Sequence, residues 1–144
     1  MANRKKIRVL IDTNIILEII LNREKSDEAK KLLENSEKFE FFLSDFSLHS
    51  IGILFFQAKK HHIFYQFLKD MVFSEILHVV SLSYEDMGNV IEVFARLNLD
   101  FDDAYQYVVA EKYNLTIISF DSDFDSTELG RKTPRKVLEL FNLM

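Results

Sequence analysis

Short apolar runs alternate along the whole chain with longer stretches of helical periodicity. Four runs of strand length cover residues 7–11, 39–43, 76–80 and 115–119, and a fifth short run covers 136–140. The runs are mainly apolar and do not alternate regularly with polar residues, which is typical of strands buried on both faces of a parallel sheet. We therefore predict four to five short parallel strands.

The intervals between these strands carry helix signals. Helices are predicted over 15–22, 26–35 and 64–71, over 83–97, from a cap at Ser44 or Asp45 to about 60, and from a cap at Asp100 or Asp102 to about 113. Strands separated by helices indicate an α/β protein, a three-layer α/β/α sandwich around a central parallel sheet. The length of 144 residues predicts a single domain over 1–144.

Two aspartates lie where predicted strands end. Asp12 follows the first strand directly, and Asp121 comes two residues after Ser119, the last residue of the fourth. Either residue alone is explained equally well as a helix or turn cap, because aspartate is a preferred N-cap. Their common position favours a site, since ligands of open parallel sheets bind at the carboxyl ends of the strands.

A third acid comes from the helix that begins near residue 100. Asp103 shares an otherwise apolar face with Tyr107 and Ala110, whereas Asp102 shares a polar stripe with Gln106. Asp103 is therefore predicted to be partly buried and Asp102 to be solvated. A partly buried carboxylate needs a cation or hydrogen-bond donors.

Three carboxylates brought together need a compensating charge. Two unit charges about 4 Å apart repel by roughly 4 kcal/mol at an effective dielectric constant near 20. Ligands that are all oxygen favour Mg²⁺ or Mn²⁺, and the absence of Cys together with the spacing of the four His argues against zinc. Such an ion serves phosphodiester hydrolysis directly.

Charge and composition limit the other functions. The net charge of −5 argues against binding nucleic acid by bulk electrostatics, and the basic clusters within 4–8, 59–62 and 131–136 are interpreted as solvated surface. The absence of Cys suits a reducing cytoplasm. No apolar stretch is long enough to span a bilayer, so no membrane association is expected.

The sequence resembles the PIN domain family over nearly its whole length. The resemblance is carried by Val-Leu-Ile-Asp-Thr-Asn at 9–14, Asp-Ala at 103–104 and Ile-Ile-Ser-Phe-Asp-Ser-Asp-Phe at 117–124. The closing Thr-Pro-Arg-Lys-Val-Leu at 133–138 is similar to the last strand of the family. Each motif is weak alone, but their order and spacing are specific.

The resemblance implies a Mg²⁺- or Mn²⁺-dependent endoribonuclease. Its catalytic residues and metal ligands would be Asp12, Asp103 and Asp121, with Asp123 as an accessory acid and Thr13, Asn14 and Ser119 orienting the ligands by hydrogen bonds. Many bacterial members are toxins of the VapC type that pair with an antitoxin and form dimers. The implied partners are thus RNA, single-stranded or structured, an antitoxin protein and a second copy of the chain.

One departure from the family pattern affects the expected activity. The Glu that the family usually carries in the helix after the second strand is missing, and Ser50, or alternatively His49, takes its place. Metal binding could be weaker, Asp123 could complete the site, or catalysis could be lost. The alternative function is therefore an inactive relative that binds nucleic acid or protein.

A different phosphate enzyme on a similar sheet is disfavoured. Aspartyl-phosphate phosphatases use a second Asp two residues after the first, where this chain has Asn14. A receiver domain needs an acidic pair before the end of its first strand, but residues 10–12 read Leu-Ile-Asp.

Overall fold

The computed structural model describes residues 5–144, so Arg4 of the first basic cluster lies outside the described residues. The strands are β1 (Ile7–Ile11), β2 (Phe39–Ser44), β3 (Leu77–Val80) and β4 (Thr116–Ile118). The α-helices are α1 (Thr13–Ile20), α2 (Ser26–Glu34), α3 (Asp45–Gln57), α4 (His61–Phe67), α5 (Met87–Leu97), α6 (Phe101–Tyr113) and α7 (Pro134–Leu140). A π-helical segment, Leu68–Phe73, continues α4, and 3₁₀ turns cover Tyr84–Asp86 and Ser122–Ser126. Within 5–144, every helix is too short or too polar to cross a bilayer.

The four strands form one parallel sheet in the order β3-β2-β1-β4. The central strand is β1, where Val9 pairs with Phe41 of β2 on one side and with Thr116 of β4 on the other. This arrangement confirms the prediction of a parallel sheet. It also brings the carboxyl ends of β1 and β4 side by side, which is where the acidic residues follow.

The sheet separates two hydrophobic cores. Val9 and Ile11 of β1 pack on one face with apolar residues of α1, α2, α3, α4 and α7, while Leu10 packs on the other face with α5 and α6. Strands apolar on both faces, as the sequence indicated, are what two covering helix layers require. The predicted three-layer α/β/α sandwich is thus confirmed.

The predicted fifth strand at 136–140 is wrong, because this segment is helix α7. The Thr133 side chain accepts a hydrogen bond from the Lys136 backbone N–H, and Pro134 occupies the first turn, where its missing N–H costs nothing. Val137 and Leu138 supply the buried face of the helix. A short apolar run fits a strand or a buried helix equally well, so capping residues were the better guide.

Candidate active site

The three aspartates proposed from the sequence line one cavity at the carboxyl end of the sheet. Asp12 is the N-cap of α1, Asp103 lies in the first turn of α6, and Asp121 begins the 3₁₀ turn after β4. The cavity measures about 230 Å³. Its lining residues are Asp12, Thr13, Asn14, Leu17, Phe46, Ser50, Asp102, Asp103, Gln106 and Asp121.

Asp12 is buried and fully hydrogen-bonded. Its Oδ1 accepts from the Thr13 backbone N–H at 2.8 Å and from Gln106 Nε2 at 3.1 Å. Its Oδ2 accepts from Ser119 Oγ at 2.6 Å and, more weakly, from Asn14 Nδ2 at 3.4 Å. Four donors match the acceptor capacity of a carboxylate, so the Asp12 side chain is held in one orientation.

A second acidic group lies beside it, made of Asp103, Asp121 and Asp123. One carboxylate oxygen from each lies within 4.8 Å of the others. None of the three forms an ion pair within residues 5–144. The buried ring of Phe124 anchors the turn that carries Asp121 and Asp123. Asp123, which was assigned an accessory role from the sequence, thus belongs to the compact acidic group with Asp103 and Asp121, and Asp12 does not.

The electrostatics of this group reflect unbalanced negative charge. Burial, followed by the charges of Asp100 and Asp121, raises the pKa of Asp103 to about 8. Burial is also the main cause that raises the pKa of Asp121 and of Asp102. Carboxyl groups in this state hold protons until a cation replaces them. The donor set is all oxygen, so it fits a hard divalent ion.

Asp102 and Asp103 differ in burial as the helix pattern predicted. Asp103 is buried on α6, whereas Asp102 is exposed at the rim of the cavity. Gln106, which shares the predicted polar stripe with Asp102, is not exposed as that stripe predicted. Gln106 was placed on the polar stripe, but only 3% of it is exposed.

A buried polar network that sequence reasoning missed supports Asp12. Ser47 Oγ on α3 accepts from Thr13 Oγ1 at 2.8 Å and from Gln106 Nε2 at 3.0 Å, and lies 3.2 Å from Ser44 Oγ. The sequence pattern placed Gln106 on the polar stripe of Asp102, although the residue also lies three positions after Asp103 on the same side of the helix. Nothing in the sequence marked Ser47.

Ser119 and Asn14 join the ends of β1 and β4. Ser119 Oγ donates to Asp12 and accepts from the Asp121 backbone N–H at 2.9 Å. Asn14 donates to Ser119 Oγ at 3.2 Å and accepts from the Phe120 backbone N–H at 3.2 Å. These contacts fix the two carboxylates in relation to each other.

The two candidates for the position of the missing Glu lie apart. Ser50 is half-buried and lines the acidic cavity. His49 is exposed and lines a separate apolar groove with Gly52, Ile53, Phe56 and Phe64. Ser50 therefore occupies the acidic cavity, and it brings no charge.

Arg131 braces the loop after β4 from outside the cavity. Its guanidinium pairs with Asp125 at 2.9 Å and donates to the Ser119 carbonyl at 3.2 Å. The pair lowers the pKa of Asp125 and raises that of Arg131. This cation is thus paired with Asp125, and in the part of the chain that the structure describes the three clustered carboxylates have no ion-pair partner.

These features define an α/β/α protein with an acidic, oxygen-lined cleft at the carboxyl edge of a parallel sheet. The family model of the PIN domain matches residues 9–129. The chain therefore belongs to the PIN domain family. The resemblance noted in the sequence motifs is confirmed.

Solved structures share this fold. The VapBC2 complex of Rickettsia felis bound to a promoter DNA fragment aligns with a TM-score of 0.72 and 17% identity over 88% of this chain and 97% of that one. A toxin–antitoxin complex from Klebsiella pneumoniae aligns with a TM-score of 0.68 and 19% identity over 88% and 97% of the two chains. The Sarcin-Ricin loop cleaving toxin VapC20 of Mycobacterium tuberculosis aligns with a TM-score of 0.67 and 18% identity over 82% of this chain and 93% of that one. No curated protein matches the chain significantly in sequence.

Proposed function

We propose that this protein is a Mg²⁺- or Mn²⁺-dependent endoribonuclease that hydrolyses RNA phosphodiesters. The observation that carries the proposal is the group of Asp103, Asp121 and Asp123, whose oxygens lie within 4.8 Å of one another with no ion-pair partner within residues 5–144. Asp12, rigidly oriented at the same cavity, adds a fourth carboxylate. Membership of the PIN family agrees with this chemistry.

The residues of the cavity take distinct roles in this proposal. Asp103 and Asp121 would hold the divalent ion, and Asp12 and Asp123 would contribute further carboxylates to the same site. Thr13, Asn14 and Ser119 fix Asp12 and Asp121 by hydrogen bonds, and Ser50 contributes a neutral hydroxyl. When bound, the ion would polarise a phosphoryl oxygen and lower the pKa of an attacking water.

The partners we propose are RNA, an antitoxin protein and a second copy of the chain. Structures with this fold include toxin–antitoxin complexes, which favours a role as the toxin of such a pair. Large apolar side chains are exposed on α3, α4 and the segment that follows, namely Ile53, Phe56, Tyr65 and Phe73. A dimer or an antitoxin helix would bury part of this surface.

Cleavage of single-stranded RNA in the presence of Mn²⁺ tests the proposal. Asp12→Asn and Asp121→Asn should each lower the cleavage rate by about 100-fold or more. Loss of a residue that only supports a metal ligand lowers activity by about 10- to 100-fold, and loss of a carboxylate of the site itself should cost at least as much. Asp27→Asn, which changes an exposed carboxylate on α2, is the matched control and should cleave as the wild type does. Circular dichroism checks that all variants fold. Equal cleavage by all four proteins would identify a contaminant and reject the proposal.

A second candidate function is that of an inactive relative which binds nucleic acid or protein. Neutral Ser50 at the cavity favours it, as does an Asp12 whose acceptor sites are already occupied. Calorimetry with Mn²⁺ separates the two. Binding that depends on Asp121 argues for the nuclease, while no heat at millimolar metal argues for the inactive relative.

A further inference from the structure

Gln106 contains a buried polar atom for which the described residues supply no hydrogen-bond partner. Gln106 is almost completely buried and lines the acidic cavity. Its Nε2 donates to Asp12 Oδ1 at 3.1 Å and to Ser47 Oγ at 3.0 Å. Its Oε1 is the buried side-chain atom that has no hydrogen-bond partner within residues 5–144.

The orientation of this amide is determined by its neighbour. A carboxylate accepts hydrogen bonds and cannot donate them, so the NH₂ group of Gln106 must face Asp12. The oxygen is thereby directed away from Asp12, and rotating the amide by 180° would place two acceptors in contact. The unpaired oxygen is therefore a consequence of the Asp12 contact and is not an ambiguity of the amide.

An unpaired buried carbonyl has a cost that needs an explanation. Leaving one unsatisfied costs roughly 1–3 kcal/mol, and buried polar groups without a partner are rare in folded proteins. An apolar side chain of the same length would avoid the cost. The position is next to a cavity that is also lined by four aspartates, Asp12, Asp102, Asp103 and Asp121. A hydrated cation is a ligand that these carboxylates would attract and that would supply hydrogen-bond donors to the Gln106 oxygen.

We propose that Gln106 Oε1 accepts a hydrogen bond from the hydration shell of the divalent ion in this cavity, and so takes part in metal binding as a neutral positioning residue. The amide nitrogen of Gln106 then orients Asp12, and the amide oxygen orients the hydrated ion. A neutral acceptor adds no repulsion to a cluster that already contains several carboxylates. The inference rests on the proposed function, because it requires the metal site.

The oxygen can be observed directly by NMR. The chain has three glutamines, Gln57, Gln66 and Gln106, so protein labelled with [¹³C]glutamine gives three Cδ signals. Gln57→Glu and Gln66→Glu identify the two surface signals, and the remaining signal belongs to Gln106 without a change in the core. Titration with Mg²⁺ should move the Gln106 Cδ signal downfield, with the same dependence on Mg²⁺ concentration as the backbone amide signals that report metal binding. The Cδ signals of Gln57 and Gln66 should not move.

Calorimetry of Mn²⁺ binding gives the second measurement. Gln106→Met keeps the length of the side chain without the amide and should weaken binding by about tenfold, the effect typical of losing an outer-shell partner. Ser122→Ala, a change at an exposed residue between Asp121 and Asp123, is the control and should bind as the wild type does.

The outcomes separate this inference from the proposal on which it rests. If the wild type binds Mn²⁺, Asp121→Asn does not, and Gln106 Cδ stays unmoved, the metal site stands and the role of Gln106 is rejected. Unchanged affinity in Gln106→Met would reject that role as well. If the wild type binds neither ion, both proposals fail.

Discussion

Ser119 is the residue on which the geometry of the acidic cavity depends most directly. It is completely buried, and its hydroxyl donates to Asp12 at 2.6 Å while accepting from the Asp121 N–H at 2.9 Å. One hydroxyl thus links the residues that end β1 and β4. Buried hydrogen bonds to a charged group contribute more than neutral ones, because the charged group loses more solvation when its partner is removed.

We expect Ser119→Ala to destabilise the metal-free protein by about 1–3 kcal/mol, the cost of leaving buried polar groups unpaired. Urea unfolding in EDTA measures this directly. Ser122→Ala, three positions along the chain and exposed, should change stability by less than about 0.5 kcal/mol. Equal stability of the two variants would mean that the Ser119 hydroxyl does not hold Asp12.

The residues that could be predicted from the sequence are those with a local signal. Asp12 and Asp121 follow strands, and Asp103 lies on the drier side of a helix. Ser47 and Gln106 have no such signal, because their contacts are formed across the fold. Gln106 and Asp12 are 94 positions apart, Gln106 and Ser47 are 59 apart, and Ser47 and Thr13 are 34 apart. Only folding brings Gln106 to Asp12 and places Ser47 where it accepts from Gln106 and Thr13.

At the scale of elements, α6 is a helix that is buried along most of its length. All residues from Asp103 to Ala110 are buried, because the helix lies between the sheet, α5 and the acidic cavity. Its polar residues Asp103 and Gln106 face the interior and line the cavity. The pattern rule that assigned Gln106 to solvent assumes that polar residues face water, and this assumption fails where a helix lines a polar cavity.

Helix α7 illustrates how a cap decides between two structures for an ambiguous segment. Thr133→Ala should destabilise the protein by about 1 kcal/mol, within the range of about 0.5–2 kcal/mol typical of N-caps, because the N–H of Lys136 loses its acceptor. Thermal unfolding measures the effect. Arg135→Ala removes the exposed side of an ion pair with Glu28 and should cost less, since exposed pairs are screened by water. A larger loss in Arg135→Ala would show that the ion pair, and not the cap, stabilises α7.

For the molecule as a whole, the acidic cluster couples folding to pH and to metal. The pKa of Asp103 is raised to about 8 in the folded chain, while that of an unfolded Asp is about 3.9. Folding therefore takes up a proton at this residue between these values. The stability that this proton provides is complete below about pH 4 and is lost as pH rises through about 8. This is opposite to the usual behaviour of a carboxylate in an ion pair, such as Asp125, whose pKa is lowered.

We expect the melting temperature in EDTA to fall between about pH 6 and 8.5, and the increase caused by Mg²⁺ to grow over the same interval. The ion competes with the proton for the same carboxylate, so it binds more tightly once the proton has left. At pH 7, binding should release about one proton, which calorimetry in buffers of different ionisation enthalpy detects.

Asp103→Asn cannot take up the proton, so its melting temperature in EDTA should vary less with pH than that of the wild type. The difference between the two curves removes the contribution of the four His, which both proteins share. If that difference is flat from pH 6 to 8.5, Asp103 is already ionised in the folded protein, and the charge of the cavity is balanced by the hydrogen-bond donors around it.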